Sequence, residues 1–167
     1  TPQPTATATP KPKASNPVSV STLALQPMTQ TISLYGQVEM QLQSDLKANN
    51  PFDPTQVDLW VSFKSPEGKV RRVPAFWYQE YNASTVRPLG KPDWRVRFTP
   101  DEVGEWQAQA EIGKLQSKAV TFTVQGSDAP GFIRINPQNP HYFAFDNGDL
   151  YVPIGLNIGW ATQQGRG

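Results

Sequence analysis

Asp101, Glu102 and Glu105 bring three carboxylates into five positions, and paired carboxylates are the groups that can divide general-acid and general-base work. Here they sit in Thr99-Pro-Asp-Glu-Val-Gly104, where Pro100 fixes φ, Asp101 can bond its own backbone and Gly104 lets the chain reverse. Turn chemistry accounts for them, and no pair of acids in the chain can be placed on one face of a cleft from sequence. Asp53, in Asn50-Pro-Phe-Asp-Pro54, reads as a turn former, because a calcium ion wants six or more oxygens. His141 is the single histidine and there are no cysteines. No histidine-based triad, thiol nucleophile or thiolate metal site can therefore be assembled, and neither a metal nor a cofactor is expected. The remaining groups with chemical reach are aromatic. Trp60, Trp77, Tyr78, Tyr81 and Trp94 could build a stacking platform for a polysaccharide, against which stands packing in a core or against a neighbouring domain.

The elements that must carry these residues read as strands. Trp94, Val96 and Phe98 alternate with Arg95 and Arg97, and beyond the turn Trp106, Ala108, Ala110 and Ile112 alternate with Gln107, Gln109 and Glu111. Two half-buried strands joined by a corner follow from that period of two. Val38, Met40 and Leu42 set against Gln37, Glu39, Gln41 and Gln43 form another one-sided strand. Val57, Leu59, Val61 and Phe63 alternate with Asp58, Trp60, Ser62 and Lys64, which turns Trp60 outward, while the parity of Trp94 turns it into the core. In Lys69 to Tyr81 the phase slips between Val70 and Val73, so a bulge or an edge position is expected at Pro74. Val120, Phe122 and Val124 close the series. About seven short strands separated by turn signals, with no competing helical pattern, specify an all-β chain of the immunoglobulin-like antiparallel sandwich type over residues 28–126.

Residues 1–27 are expected to be a disordered linker, since the opening tract is built from Thr, Pro, Ala and Ser with only Lys11 and Lys13 charged. Residues 127–131 read as a hinge. From 132 to 167 the pattern changes: Asn147-Gly148 marks a hairpin, and Ile154 to Trp160 is apolar without alternation, as in a strand buried on both faces of a parallel sheet. A parallel neighbour needs a crossover of about a dozen residues or more. Only Ala161 to Gly167 remain, so these residues are expected to open a second domain whose body the chain does not contain. With a formal net charge of +1 there is no basic stripe for nucleic acid. No apolar run reaches the roughly 20 residues of a membrane span, and no basic start leads into an apolar leader; if a leader existed, the numbering begins after it.

Asn50-Pro-Phe52, Val73-Pro-Ala-Phe-Trp-Tyr78, Trp94-Arg-Val-Arg-Phe98 and Pro100-Asp-Glu-Val-Gly-Glu-Trp106 resemble the immunoglobulin-like module catalogued as domain of unknown function 5060. Gly131-Phe-Ile-Arg-Ile135, Tyr142-Phe-Ala-Phe-Asp-Asn-Gly148 and Val152-Pro-Ile-Gly155 are similar to the opening of the TIM-barrel glycoside hydrolases that follow this module in secreted bacterial proteins. The family often has glycine where Ala75 stands. The resemblance implies a sandwich resting on a (β/α)8 barrel, with Ile154 to Trp160 as its first strand and Asn157 and Trp160 directed toward the mouth where sugars bind. It also implies hydrolysis by two carboxylates placed at the ends of later strands, beyond Gly167.

The expected role is therefore a non-catalytic accessory module of a secreted bacterial glycoside hydrolase, extracellular or attached to the cell surface. Its partner is the parent protein's own catalytic barrel, the parent being the enzyme and this stretch by itself not. A carbohydrate-binding or wall-attachment module using Trp60, Trp77, Tyr78 and Tyr81 is the first alternative, and a structural spacer or protein-interaction domain the second. A coplanar row of exposed rings would favour glycan binding.

Overall fold

The computed structural model describes residues 19–156 of the 167-residue chain, which divides into two compact units, Thr1–Ser127 and Asp128–Gly167. Among the described residues every regular element is a strand. The first unit is an all-β sandwich of two sheets. One has the order β1 (Leu23–Pro27), β3 (Val38–Ser44), β7 (Pro88–Phe98), β6 (Phe76–Tyr81). The other runs β2 (Thr31–Ser33), β10 (Val120–Gln125), β8 (Gly104–Ile112), β4 (Leu59–Lys64), β5 (Val70–Pro74), with β9 (Leu115–Gln116) beside β8. All pairings are antiparallel except β2 with β10.

Alternating apolar residues of both sheets meet in one core. Val38, Met40, Val96 and Trp94 of the first sheet pack with Val61, Phe63, Trp106, Ala108, Phe122 and Val124 of the second. Trp106 lies between Phe98 and Phe122, at centroid distances of 5.2 and 6.3 Å. Its indole N–H donates to the carbonyl of Glu102 at 2.8 Å. The corner after β7 thus carries the chain from one sheet to the other and is bonded to the ring it delivers. Gly104 has φ +128°, and a Cβ there would meet Pro66 Cγ at 2.9 Å, so both the turn and the close approach require glycine.

The strand pattern departs from the sequence reading at two points. β1 lies inside residues 1–27, the stretch expected to be linker: Leu23 and Leu25 turn inward while Ala24 and Gln26 stay exposed, and β1 pairs along its length with β3. Those two leucines bury apolar surface that the Thr/Pro composition before them lacks. In residues 70–77, Val73, Ala75 and Trp77 share one parity and all pack against the core, while Val70 is exposed on the outer face. The phase therefore holds through the segment. Pro74 takes the edge position expected of it, at the end of β5, which is the edge of its sheet, and the chain then crosses to the first sheet as β6. The register shift falls later, between Tyr78 and Glu80.

The start of β1 is fastened by one side chain. Asp45 accepts from the backbone N–H groups of Ser21 and Thr22, each at 2.9 Å, and from the Ser21 hydroxyl, while its own N–H donates to Thr22 Oγ1 at 3.2 Å. The Ser21 hydroxyl, followed by the two backbone donors, holds the carboxyl far below the usual carboxylate range. A depressed folded value means this clamp contributes fully above the ordinary aspartate value, about 3.9, and is lost as pH falls through the lower one. Asp45→Ala is expected to accelerate amide hydrogen exchange at Ser21, Thr22 and along β1 at neutral pH, with the β4–β8 amides unchanged; equal exchange along β1 would show the clamp to be idle.

The second unit contains a three-stranded antiparallel sheet of β11 (Ile133–Ile135), β12 (Phe143–Phe145) and β13 (Leu150–Tyr151). Asn147 and Gly148, the latter at φ +92°, make the expected hairpin turn, closed by Gly148 N–H to Phe145 O at 2.9 Å. Residues 152–156 carry no strand, and Ile154 and Leu156 are 94% and 91% exposed. The rest of the stretch read as barrel strand one lies outside the described residues. Among the described residues no helix is long and apolar enough to cross a membrane.

Candidate aromatic groove

One end of the sandwich carries an open groove of about 220 Å³. The buried side chains of Leu59 and Trp94 and the half-buried Trp77 line it from below. Trp77 and Trp94 are cross-strand partners whose rings lie 5.0 Å apart at 59°. The 51–54 loop and the Pro74-Ala-Phe76 crossing line it as well, together with Asp58 and Trp60. The loop is tightly wound. Asn50 Oδ1 accepts from Phe52 N–H at 3.0 Å, and Asp53 Oδ1 accepts from the Thr55 N–H and hydroxyl at 2.9 and 2.7 Å. The Thr55 hydroxyl, the Thr55 N–H and the Gln56 amide hold the Asp53 carboxyl below its ordinary range, so Asp53 is a turn former. What the turn displays is Phe52, 72% exposed. Trp60 is fixed from the other direction, its N–H donating to Asp58 Oδ1 at 2.5 Å and the Arg72 guanidinium lying 4.7 Å from its ring centroid.

The remaining aromatic candidates lie elsewhere. Tyr78 is on the outer face of the first sheet, with the Arg95 guanidinium 4.0 Å from its ring centroid, and Tyr81 ends β6, paired with Pro88 and exposed. Phe76 and Tyr78 meet edge to face at 82°. Of the five rings singled out in the sequence, Trp60, Trp77 and Trp94 share the groove while Tyr78 and Tyr81 do not, and Trp77 and Trp94 are tilted at 59° rather than coplanar. Asn157 and Trp160 lie outside the described residues. Phe52 and Phe76 were not singled out; the available signal for Phe52 was a large apolar side chain set between prolines in a turn, where burial is hard to arrange.

The acids of the corner are engaged in structure. Asp101 takes a two-pronged ion pair from Arg71, both contacts 2.6 Å, and Arg71 holds its carboxyl below the usual range against a smaller opposing effect of burial. Glu102 pairs with Lys69 at 3.1 Å, and Glu105 is exposed. Among the described residues no three His, Cys, Asp or Glu side chains are gathered to hold a metal.

The class these features define is a two-sheet β-sandwich with an aromatic groove at one end, followed by a small three-stranded sheet. The particular likeness is to the family described as Domain of unknown function (DUF5060), whose pattern matches residues 31–112, from β2 through β8. Among solved structures the chain is similar to a protein of Bacteroides vulgatus ATCC 8482 provisionally named a glycoside hydrolase, with a TM-score of 0.52, 22% identity and coverage of 75% of this chain. At that identity the likeness speaks for the fold. The chain spans 22% of the length of that protein. No curated protein matches the chain.

Proposed function

We propose that this chain is the N-terminal accessory part of a secreted bacterial glycoside hydrolase, an immunoglobulin-like module followed by the first strands of the catalytic barrel that it supports. The observation that carries the reading is the exposed apolar side chains of the second unit: Ile135, Leu150, Val152, Ile154 and Leu156 are all more than half exposed, as residues that meet a partner surface are. A catalytic domain to which this unit belongs would cover them. The strand order supports the immunoglobulin-like part, since β1-β3-β7-β6 facing β10-β8-β4 reproduces an A-B-E-D sheet against G-F-C. The similarity to a much longer protein provisionally named a glycoside hydrolase supports the rest.

The expected result is that this chain self-associates at high concentration through that surface, and that Ile154→Ser with Leu156→Ser returns it toward monomer in light scattering. A monodisperse monomer in the unaltered chain would remove the support. Titration with soluble polysaccharides, followed by tryptophan fluorescence, separates this reading from a carbohydrate-binding module: a saturable shift lost in Trp60→Ala would favour the latter, whereas the 59° tilt between Trp77 and Trp94 leads us to expect none.

A further inference from the structure

We propose that Asn82 is the acceptor of an N-linked oligosaccharide, carried at the tip of the hairpin that joins β6 to β7. Asn82-Ala-Ser84 is the chain's only asparagine followed two residues later by serine or threonine with no proline between them, the triplet on which secreted chains are glycosylated. Such triplets recur by chance, so the placement of this one decides. The hairpin closes at Asn82 itself. Its N–H donates to Arg87 O and its carbonyl accepts from Val86 N–H, both at 2.8 Å, and Ala83 to Thr85 form the turn. Asn82 Oδ1 accepts from the N–H groups of Ser84 and Thr85 at 3.0 and 2.9 Å, so the oxygen of the amide holds the turn and the nitrogen lies on the side away from those donors. Neither Nδ2 nor the Ser84 hydroxyl enters a hydrogen bond among the described residues. Glu80, Tyr81, Ala83, Ser84 and Thr85 are all exposed, which leaves the triplet open to an enzyme in the folded chain.

The second support is what the tip leaves uncovered. Tyr81, Val86 and Leu89 are each at least 45% exposed and flank Asn82 on the two arms, where Tyr81 faces Pro88 and Glu80 faces Leu89. A sugar on Asn82 would lay its C–H face on these side chains, the phenol of Tyr81 foremost. Apolar surface at the tip would then be shielded without a protein partner.

The step is a substitution. Asn82 Nδ2 bonds to the anomeric carbon of a sugar carried on a lipid diphosphate, the anomeric C–O bond breaks, the lipid diphosphate leaves with its electron pair, and the amide gives one proton to a base of the transferase. Glu80, two residues before the acceptor, enters no ion pair among the described residues and offers a cationic transferase groove a charged handle. Of the accessory role proposed above, only export from the cell is used here.

The test needs no export, so its failure would speak against this site and leave that reading standing. Purified, folded chain is incubated with a bacterial oligosaccharyltransferase and its lipid-linked oligosaccharide, beside a peptide acceptor known to be modified. The chain is expected to gain the mass of one oligosaccharide, on the tryptic peptide that contains Asn82. Asn82→Gln and Ser84→Ala should each lose the gain and Ser84→Thr, which keeps the hydroxyl, should retain it; Ser84→Ala alters only an exposed side chain, so its loss is not one of folding. Glu80→Gln should slow the transfer, and an unchanged rate would remove Glu80 from the site. In the modified chain the ring resonances of Tyr81 should shift while those of Tyr151 do not, and an unmoved Tyr81 would overturn the shielding. An unmodified chain beside a modified peptide would overturn the proposal, as would a mass gain that survives in Ser84→Ala.

Discussion

Trp106→Ala is expected to destabilise the sandwich by about 3–5 kcal/mol, the usual cost of removing a large aromatic from a closed core. Trp106 is 0% exposed and is among the largest fully buried side chains. It touches Phe98 of one sheet and Phe122 of its own, so its loss opens a cavity between the sheets that neither rigid neighbour can fill. The Glu102 carbonyl would also lose its donor. Against a total stability of roughly 5–15 kcal/mol for a domain of this size, such a loss removes at least about a fifth of the total. Urea denaturation should show a large fall in midpoint with an unchanged slope. Trp106→Phe keeps most of the volume and should cost about 1–2 kcal/mol, through the lost hydrogen bond and the smaller ring. If alanine and phenylalanine proved equally mild, the corner rather than the ring would be holding the sheets together.

The ring's importance was legible in advance because its strand is one-sided: Trp106, Ala108, Ala110 and Ile112 are all buried and the residues between them are not. Period-two patterning fails where composition masks it. Leu23 and Leu25 carry the same signal over only two inward positions, directly after a tract rich in Pro and Thr, and so read as its continuation. It also cannot distinguish a bulge from a change of sheet. Val70 and Val73 have opposite parity because one is outside and the other inside, and only the pairing of β5 with β4 and of β6 with β7 reveals that the chain has crossed over. The groove was illegible for the same reason. Trp60 and Trp77 belong to different sheets, and Phe52 comes from a loop. Nothing in the linear spacing places the three together; the crossing at Pro74-Ala75 does.

Outward-facing charge is the other feature a strand pattern conceals, and it underlies the second large effect. Arg95 and Arg97 read as the wet side of β7, yet the Arg95 side chain is only 14% exposed. It bonds Glu39 at 2.6 Å and Asp93 at 2.9 Å, and Tyr78 lies over it. Gln41 also donates to Asp93, at 2.6 Å, and Arg97 pairs with the second oxygen of Glu39. Burial alone would raise the Glu39 carboxyl, but the two arginines, Arg97 foremost, outweigh it and hold the value below its ordinary range. Arg95→Ala is therefore expected to cost about 2–3 kcal/mol, because it deletes a cation shared by two half-buried carboxylates and leaves Glu39 with Arg97 and Asp93 with Gln41 alone. Arg95→Met keeps the stem under Tyr78 but not the charge, and should recover only the packing part. The pH dependence separates the two contributions. A depressed carboxyl contributes stability that is complete above its ordinary value, about 4.3 for glutamate, and is lost as pH falls through the lower folded value. The unaltered chain should thus lose stability steeply below pH of about 4, while Arg95→Ala, whose Glu39 titrates closer to the ordinary value, should show a shallower acid limb. Parallel acid limbs in the two proteins would mean that Arg97 alone sets the Glu39 carboxyl and that Arg95 acts through its packing under Tyr78.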